Sequence, residues 1–356
     1  MVMKPRTISM ETFKKAFVFL LHTFLLSSLP FALNSVSSKR TEAEALVSYL
    51  QNLTYLGLSL NYFIVKIPES LFINLGKLEY LNLTGIGLAS NNFSSLILDI
   101  FGSMPNLKIL ELSSFEEKIP SSLGKLRNLQ LFRLLIDSPL NSTIPSELGL
   151  CTNLTQLILS GSSLTGSLPL SLTNLTKLFG LVVIDSNFCG HILLEEIPFE
   201  IGLLTNLTFL NLNGNRFSGY IPQMIGSLQN LFFLDLSVNL LLGQIPPTIE
   251  NLTELRSIDI FSNHLTVSKL SKGLQVLNLK NNYFYGTIPR IFPEGCELQY
   301  LDLYGNQLSG TLPLSLVNCR MLEVIDTGNN SISGSFPFWM KTLPEFRVLI
   351  LKANRF

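Results

Sequence analysis

The sequence predicts an α/β solenoid, in which short strands stack into one curved parallel sheet and the rest of each coil closes the loop. Three observations predict it: an asparagine that recurs at a nearly fixed interval, a frame of alternate leucines before it, and a Gly-x-Ile-Pro segment after it. The recurring residues are Asn215, Asn239, Asn263, Asn282, Asn306, Asn330 and Asn354, with 24 residues between all but one neighbouring pair. A unit of this length cannot bury its apolar face alone, so neighbouring coils must stack.

The leucine frame defines the strand of each coil. In one coil it comprises Leu207, Leu210, Leu212, Asn215 and Phe217, which gives the pattern LxxLxLxxNxL. Alternate leucines place their side chains on one face of a strand, and the asparagine falls where the strand turns away. An asparagine amide can both donate and accept hydrogen bonds there, so we expect it to replace lost sheet partners.

The same frame places about thirteen strands between Leu53 and Asn354, but its first half is irregular. The earlier equivalents of the asparagine are Asn61, Ile86, Phe115, Asp137, Ser162 and Ser186. Their intervals vary and only one of them is asparagine. Either the early coils are distorted or this register is partly wrong.

A Gly-x-Ile-Pro segment, or a near copy, follows the asparagine in most coils. These segments are Gly166 to Pro169, Gly219 to Pro222, Gly243 to Pro246, Gly286 to Pro289, Gly310 to Pro313 and Gly334 to Pro337. Glycine permits unusual backbone angles, and proline fixes its own φ and removes a donor. The chain is therefore expected to turn quickly after each asparagine.

Two irregularities interrupt the second half. Five extra residues around His191 to Glu196 are expected to bulge from the convex side or an edge of the coil. Five residues are missing between Asn263 and Asn282, and Thr266 to Gly273 lacks the usual proline. That coil must be tighter or differently routed.

LxxLxLxxNxL is the leucine-rich repeat signature. With the Gly-x-Ile-Pro segment and the 24-residue period, the chain from Leu53 to Phe356 resembles the plant-specific class found in receptor-like kinases, receptor-like proteins and polygalacturonase inhibitors. From Leu274 onward, strings such as LNLKNNYFYGTIP are similar to the later ectodomain repeats of plant receptor-like proteins. The resemblance implies a curved right-handed superhelix with a concave parallel β-sheet.

The two ends depart from that family. Thr41 to Leu50 resembles the opening of a mature plant ectodomain, but the usual tryptophan and cysteine pair of the cap is absent, and Phe356 falls inside a repeat. The expected organisation is a degenerate segment without a cysteine cap at 36–52 and a repeat domain at 53–356 that is truncated at its carboxyl end.

Residues 1–35 are predicted to be a secretory signal peptide. Lys14 and Lys15 precede an apolar stretch from Ala16 to Leu26, and small residues follow. A membrane anchor is the alternative, but the run is broken by polar residues and is short for a span of about 20 apolar residues. The predicted location is therefore secreted or at the cell surface, on the extracellular side of the plasma membrane.

Secretion predicts N-glycosylation, and nine sequons occur. They are Asn52, Asn82, Asn92, Asn141, Asn153, Asn174, Asn206, Asn251 and Asn329. Several of them lie in an Asn-Leu-Thr string that also fits the repeat's approach to its strand, so the repeat alone generates many of these sites.

The four cysteines, Cys151, Cys189, Cys296 and Cys319, are too few and scattered for a disulfide framework. Cys151 and Cys319 each lie three residues before a strand leucine, so they are expected to be small buried apolar residues. A bridge between Cys296 and Cys319 on adjacent coils is the alternative.

Composition and motifs exclude several functions. The formal net charge is zero, 14% of residues are charged, and no run of Lys or Arg could follow a phosphate backbone, which excludes nucleic acid as a partner. His22 lies in the signal peptide, and His191 and His264 are isolated in predicted loops without metal spacing or a nucleophile. Neither a phosphate-binding loop nor a kinase signature occurs. The sequence therefore predicts a protein that is not an enzyme and that needs no metal or cofactor.

The concave sheet is the predicted ligand-binding surface, because residues between the strand leucines point outward and align across the coils. The predicted contact residues are Phe209, Asn211, Asn213, Phe233, Asp235, Asp259, Phe261, Asn278, Lys280, Tyr300, Asp302, Tyr304 and Asp326. Aromatic rings supply contact area and carboxylates orient a basic or polar peptide. The LDL string is nevertheless common in this repeat class whatever it binds, so the aromatic residues are the sharper prediction.

The resemblance implies non-enzymatic recognition of a peptide or protein ligand by a plant receptor-like ectodomain, which acts in cell-surface signalling or defence through a co-receptor kinase. Two alternatives remain open. A secreted inhibitor of fungal polygalacturonase would also be a short repeat protein without a kinase, and a truncated receptor fragment could lack function altogether.

Overall fold

The computed structural model describes residues 51–57, 59, 75–84, 96–113, 118–135, 142–161, 164–185, 196–266, 273–288 and 292–356. These residues form a stack of coils, each of which contributes a short strand to one long sheet. The strands are β1 (Tyr55–Gly57), β2 (Tyr80–Leu83), β3 (Ile109–Ser113), β4 (Leu131–Leu135), β5 (Gln156–Ser160), β6 (Gly180–Ile184), β7 (Phe209–Asn211), β8 (Phe233–Asp235), β9 (Leu242–Gln244), β10 (Ser257–Asp259), β11 (His264–Thr266), β12 (Val276–Asn278), β13 (Tyr285–Thr287), β14 (Tyr300–Asp302), β15 (Gln307–Gly310), β16 (Val324–Asp326), β17 (Ser331–Ile332) and β18 (Val348–Ile350).

The main sheet has 13 parallel strands in the order β1 to β8, then β10, β12, β14, β16 and β18. At least one apolar side chain of each strand points into the core and lies beside its equivalent on the next coil. Leu56 is paired with Leu81, Leu81 with Leu110, and Leu110 with Phe132. These pairs confirm the thirteen predicted strands and show that the predicted strand register of the irregular first half is correct. The variable intervals are accommodated outside the strands.

Between the strands, the core continues through the whole stack as one apolar cluster. Large side chains such as Phe101, Phe132 and Phe217 have no exposed surface. No coil encloses a core of its own, as expected for an array in which each repeat contacts only its neighbours.

The recurring asparagines tie each coil to the one before it. The Asn239 Nδ2 donates hydrogen bonds to the carbonyl oxygens of Leu236 at 3.0 Å and Ser237 at 3.0 Å in its own coil, and of Leu212 at 2.9 Å in the preceding coil. Its Oδ1 accepts from the Phe217 amide at 3.0 Å. The bond to the preceding coil recurs at all seven of these asparagines. The predicted donor and acceptor role of this residue is confirmed.

The glycines of the Gly-x-Ile-Pro segments turn the chain as predicted. Gly219 and Gly243 have φ of 70° and 73°, values that disfavour residues with a Cβ. Two smaller parallel sheets form beside these turns, one from β9 and β11 and one from β13, β15 and β17. The sequence did not predict these second sheets, because their strands are too short to show a periodic pattern.

A 3₁₀ helix follows the proline in most described coils, and one α-helix, α1 (Leu96–Phe101), precedes them. The 3₁₀ helices are Ser121–Lys125, Ser146–Leu150, Leu170–Asn174, Phe199–Leu203, Gln223–Ser227, Pro247–Asn251, Leu314–Asn318 and Phe338–Thr342. Several carry glycine at the fourth position, where neighbouring helices approach closely. A Cβ on Gly226 would lie 2.4 Å from the Thr248 carbonyl oxygen, so only glycine allows this packing.

The short coil between Asn263 and Asn282 keeps the pattern of its neighbours. Strand β10 pairs with β12, and the Leu265 amide donates to the Asn282 Oδ1 at 3.0 Å. The five missing residues are therefore accommodated outside the strand and the asparagine turn, and the sheet stays continuous. The predicted bulge around His191 lies outside the described residues, apart from Glu196.

The structure contains a disulfide bond between Cys296 and Cys319. Cys319 is buried as predicted, but it is disulfide-bonded, so its predicted role as a free apolar residue was wrong and the alternative is correct. The two residues are 23 positions apart, nearly one coil length, so stacking brings their Cα atoms to 4.5 Å. The prediction for Cys151, a buried free thiol, is confirmed, and burial raises the pKa of this thiol to about 11. Cys189 and the predicted signal peptide lie outside the described residues.

Candidate functional site

The solvent face of the main sheet carries three rows of side chains that run across the coils. In the first row, Phe209 lies beside Phe233, and Tyr300 follows three strands later. The middle row consists of Asn211, Asp235, Asp259, Asn278, Asp302 and Asp326 on six consecutive strands of the sheet. The third row contains Asn213, Phe261, Lys280 and Tyr304, each two residues further along. All thirteen predicted contact residues fall in these rows, which we call the sheet face.

An aromatic platform begins the sheet face. The rings of Phe209 and Phe233 stack with centroids 4.4 Å apart and planes inclined by 5°. Phe209 is 37% exposed, so the platform presents apolar surface to solvent. Strands spaced by about 4.8 Å hold the two rings in this arrangement without a ligand.

The middle row has a structural role in addition to its charge. One oxygen of each side chain accepts a hydrogen bond from the backbone amide two residues on, as in Asp235 with Ser237 at 3.0 Å and Asp302 with Tyr304 at 2.9 Å. This bond satisfies a donor where the strand ends. It explains physically why aspartate or asparagine recurs at this position independently of any ligand.

The second carboxylate oxygens link neighbouring positions of the face. The Asn278 Nδ2 donates to the Asp259 Oδ2 at 3.2 Å, and the Tyr300 hydroxyl donates to the Asp302 Oδ2 at 3.2 Å. Both carboxylates are partly removed from solvent.

The electrostatics of the row disfavour further negative charge. Burial, with a contribution from the Asp235 carboxylate, raises the pKa of Asp259 from 3.8 to about 6. Burial and the Asp326 carboxylate raise the pKa of Asp302. Burial and Asp302 raise the pKa of Tyr300 to about 12. A cationic group placed here would favour the ionised carboxylates.

The carboxyl-terminal end of the face is partly neutralised. The ammonium groups of Lys280 and Lys352 each lie 5.3 Å from the Tyr304 ring centroid. Lys280 and Tyr304, both predicted as contact residues, therefore contact each other within the protein. The acidic and aromatic side chains from β7 to β14 therefore include one basic position, Lys280.

The sequence missed a second polar cluster at the amino-terminal end of the same sheet. The rings of Tyr55 and Tyr80 stack with centroids 4.2 Å apart. The Tyr80 hydroxyl donates to the Glu111 carboxylate at 2.9 Å, the Asn82 Nδ2 donates to it at 2.7 Å, and Arg133 forms an ion pair with it at 3.3 Å. Attention to the first and third residues of every strand, rather than to the asparagine position, would have found this cluster.

His264 was predicted to lie in a loop, and this was wrong. It belongs to strand β11, where its ring stacks on Tyr283 with centroids 5.2 Å apart. The second sheet, which the sequence did not reveal, explains the difference. Within the described ranges, no cluster of His, Cys, Asp and Glu has a geometry that could hold a metal ion.

The predicted glycosylation sites differ in environment. Asn52, Asn174, Asn206, Asn251 and Asn329 are exposed, and Asn153 is half-buried. Asn82 lies in strand β2, in the amino-terminal polar cluster, where its amide nitrogen also donates to the Tyr80 hydroxyl at 3.1 Å. Asn92 and Asn141 lie outside the described residues. Nor does the described part of the chain include a helix of the length and hydropathy needed to span a bilayer.

Comparison with known families identifies the repeats. A Leucine Rich Repeat family model matches residues 153–175, 206–228, 230–252, 273–294 and 297–319. Among curated proteins, receptor-like protein 15 of Arabidopsis thaliana is 28% identical over 185 residues, which cover 46% of this chain and 19% of that protein.

Solved structures of plant receptors have the same fold. A TDR receptor matches with a TM-score of 0.72 and 30% identity over 86% of this chain and 52% of that chain. The Arabidopsis receptor kinase HAESA, in complex with the peptide hormone IDA and the co-receptor SERK1, matches with a TM-score of 0.69 and 30% identity, over 85% of this chain and 54% of that chain. The plant peptide hormone receptor RGFR1, in complex with RGF2, matches with a TM-score of 0.66 and 28% identity, over 85% of this chain and 56% of that chain. The chain thus spans about half the length of these receptor structures.

Proposed function

We propose that this chain, a leucine-rich repeat protein that resembles plant receptor-like proteins, recognises an extended basic or polar peptide on its sheet face. The segment from β7 to β14 is the proposed contact surface. The protein acts in this proposal as a binding module, and a ligand rather than a substrate occupies the face.

The observation that carries the proposal is the position of the aromatic platform beside the acidic row. Phe209 on β7 and Phe233 on β8 supply rigid contact area at little cost in side-chain entropy. Asp235 also lies on β8, and Asp259 lies on the next strand of the sheet, β10. A peptide that lies across the strands would place an apolar side chain on the rings and a basic one at the carboxylates. Burial raises the pKa of Asp259, and a cationic group of the ligand would favour its ionised form.

The proposed location is the extracellular side of the plasma membrane. The Cys296–Cys319 bond supports it, because disulfides persist in oxidising compartments. The exposed sequons at Asn174 and Asn251 are compatible with glycosylation along the secretory route. By analogy with the receptor complex that contains a co-receptor, we also propose that a partner kinase converts ligand capture into a signal at the cell surface, as in defence.

A displayed library of short peptides tests the proposal. The purified full chain should enrich peptides that combine a basic with an aromatic or aliphatic residue, and rising salt should weaken their binding. The combined variant Phe233→Ala, Asp259→Asn and Tyr304→Ala should bind the enriched peptides at least about tenfold more weakly, the loss expected for about 1.4 kcal/mol.

A matched control carries the same number of changes on other surfaces. The combined variant Phe338→Ala, Glu250→Gln and Tyr285→Ala alters exposed residues away from the sheet face and should bind as the unchanged chain does. Equal binding by the sheet-face variant, with circular dichroism showing that it is folded, would refute the proposed contact surface.

A further inference from the structure

A groove lies on another surface of the solenoid, between the coils that contain the 3₁₀ helices Phe199–Leu203 and Gln223–Ser227. Its volume is about 460 Å³. The residues that line it are Glu196, Ile197, Pro198, Phe199, Tyr220, Pro222, Gln223 and Met224. None of them belongs to the sheet face, so any role of this groove is separate from the proposed peptide contact.

Two functional groups of the groove are held in place by glycines of the next coil. The Glu196 side chain lies against Gly219, where a Cβ would be only 2.6 Å from its Oε1 and 2.7 Å from its Cδ. The Tyr220 ring lies against Gly243 in the same manner, with its Cδ1 at 2.5 Å from the position of a Cβ. The acid and the ring are therefore seated on adjacent coils before any ligand arrives.

In other coils, the side chain that packs against the equivalent glycine is small. The methyl groups of Thr143, Thr287 and Thr311 lie against Gly166, Gly310 and Gly334. A threonine is enough to cover the glycine, so the fold does not require a carboxylate or an aromatic ring there. Glu196 and Tyr220 therefore add chemistry that the repeat does not need.

The groove has the properties of a site for an amphipathic cation. Phe199 is 63% exposed and Tyr220 is 67% exposed, so both rings offer surface to a ligand. Pro198, Pro222 and Met224 form apolar walls, Glu196 supplies a negative charge, and no basic residue is among those that line the groove. An arginine side chain fits this set, since its methylene stem packs on apolar walls and its planar guanidinium both stacks on a ring and pairs with a carboxylate.

We propose that this groove binds an arginine side chain presented by a protein partner, with Glu196 as the charge partner and Tyr220 as the stacking surface. Charge complementarity selects this occupant over an uncharged one. Arginine is preferred to lysine because a compact, strongly hydrated ammonium gains less from an aromatic face.

A methyl probe inside the groove makes the proposal testable on the full chain. Met224 lines the groove and is 39% exposed, so a ¹³C-labelled methionine methyl group, assigned with Met224→Leu, reports occupancy. The capped tripeptide Gly-Arg-Gly should shift this signal saturably, with a dissociation constant on the order of millimolar. The same peptide with citrulline, a neutral isostere of arginine, should bind at least about fivefold more weakly.

Variants then separate the two groups. Glu196→Gln should weaken the arginine peptide about fivefold, and Tyr220→Leu should weaken it by a similar factor. Glu200→Gln is the matched control, because Glu200 lies on the neighbouring 3₁₀ helix but does not line the groove, and it should leave binding unchanged. All three residues are at the surface, and circular dichroism checks that each variant is folded.

Three results would overturn the proposal. They are equal shifts with the arginine and citrulline peptides, no response of Met224 to either peptide, and a larger shift with a neutral glucan oligosaccharide, which would identify a sugar site. Undiminished binding by Glu196→Gln would show that the Glu196 carboxylate is not the charge partner of the ligand.

Discussion

The side-chain amide of Asn278 donates a hydrogen bond to the Asp259 carboxylate across the one short coil of the stack. The two residues are 19 positions apart, yet they occupy the same row of the sheet face as pairs in regular coils. A deletion of five residues from the outer part of a coil therefore leaves the sheet face unbroken. Surface rows of this solenoid are controlled by strand register, and coil length can vary without disturbing them.

Replacing the asparagine of a middle coil should destabilise the stack. In Asn239→Ala, the carbonyl oxygens of Leu212 and Leu236 and the amide of Phe217 lose a buried partner. Unsatisfied buried groups of this kind cost about 1–3 kcal/mol each, so a loss of about 3 kcal/mol is expected. Urea denaturation followed by circular dichroism measures it. Asn230→Ala, which removes one exposed bond to Thr205, is the control and should cost under about 1 kcal/mol.

Stability should fall as the pH rises through the range in which Asp259 ionises. Its pKa is raised from 3.8 to about 6 in the folded protein, so between these values the folded state binds more protons than the unfolded state. Stability contributed by the protonated carboxyl is complete below about pH 4 and is lost by about pH 6. The thermal midpoint should decline across this window, and Asp259→Asn should decline less. An identical slope in both proteins would contradict the assignment.

The same ionisation predicts how ligand binding changes with pH. A basic peptide on the sheet face needs the charged form of Asp259, so its affinity should increase from pH 5 to pH 7. In Asp259→Asn this increase should be smaller. Calorimetric titration of an enriched peptide at several pH values provides the measurement.

Reduction of the Cys296–Cys319 bond should lower stability by about 3 kcal/mol, because the bond closes a loop of intermediate length in the unfolded chain. Urea denaturation with and without dithiothreitol gives this difference. The double variant Cys296→Ser and Cys319→Ser should be insensitive to the reductant. Cys151→Ala should keep the sensitivity, since that thiol is free and buried.

Two glycines should differ in their tolerance of alanine. In Gly226→Ala the new Cβ meets the Thr248 carbonyl oxygen at 2.4 Å, which must separate two 3₁₀ helices and should cost about 3 kcal/mol. In Gly286→Ala nothing lies within 4 Å of the Cβ, and only the φ of +84° is strained, so about 1 kcal/mol is expected. Gly226 has no positive φ, so equal losses would show that the close approach of the two helices adds little to the cost at that position.

The fold was largely predictable because its main constraint is periodic in sequence. Leu210 and Asn215 belong to a frame that specifies strand, turn and stacking together, and even the irregular early strands follow it. The second sheets were not predictable, since β11 has three residues, too few to establish an alternating pattern. His264 was misplaced for that reason.

The sheet face was predictable as a set of positions, but its chemistry was not. Strand pairing alone aligns Asp235 with Asp259, whereas the raised pKa of Asp259 depends on burial by neighbouring coils. The contact between Lys280 and Tyr304 depends on side-chain conformation. The pairing of Cys296 with Cys319 required knowing that they occupy equivalent positions in adjacent coils, nearly one coil length apart in sequence.

The asparagine bonds also define which piece of the chain can be exchanged. Each regular coil donates to the coil before it and accepts from it through one residue, as Asn263 does with Leu236 and Leu241. A segment that runs from one asparagine to the next carries one complete set of these connections and restores them wherever it is inserted. Unequal recombination in this phase would lengthen or shorten the array by a whole coil while preserving every buried bond. The sheet face could thereby acquire new rows without first losing its fold.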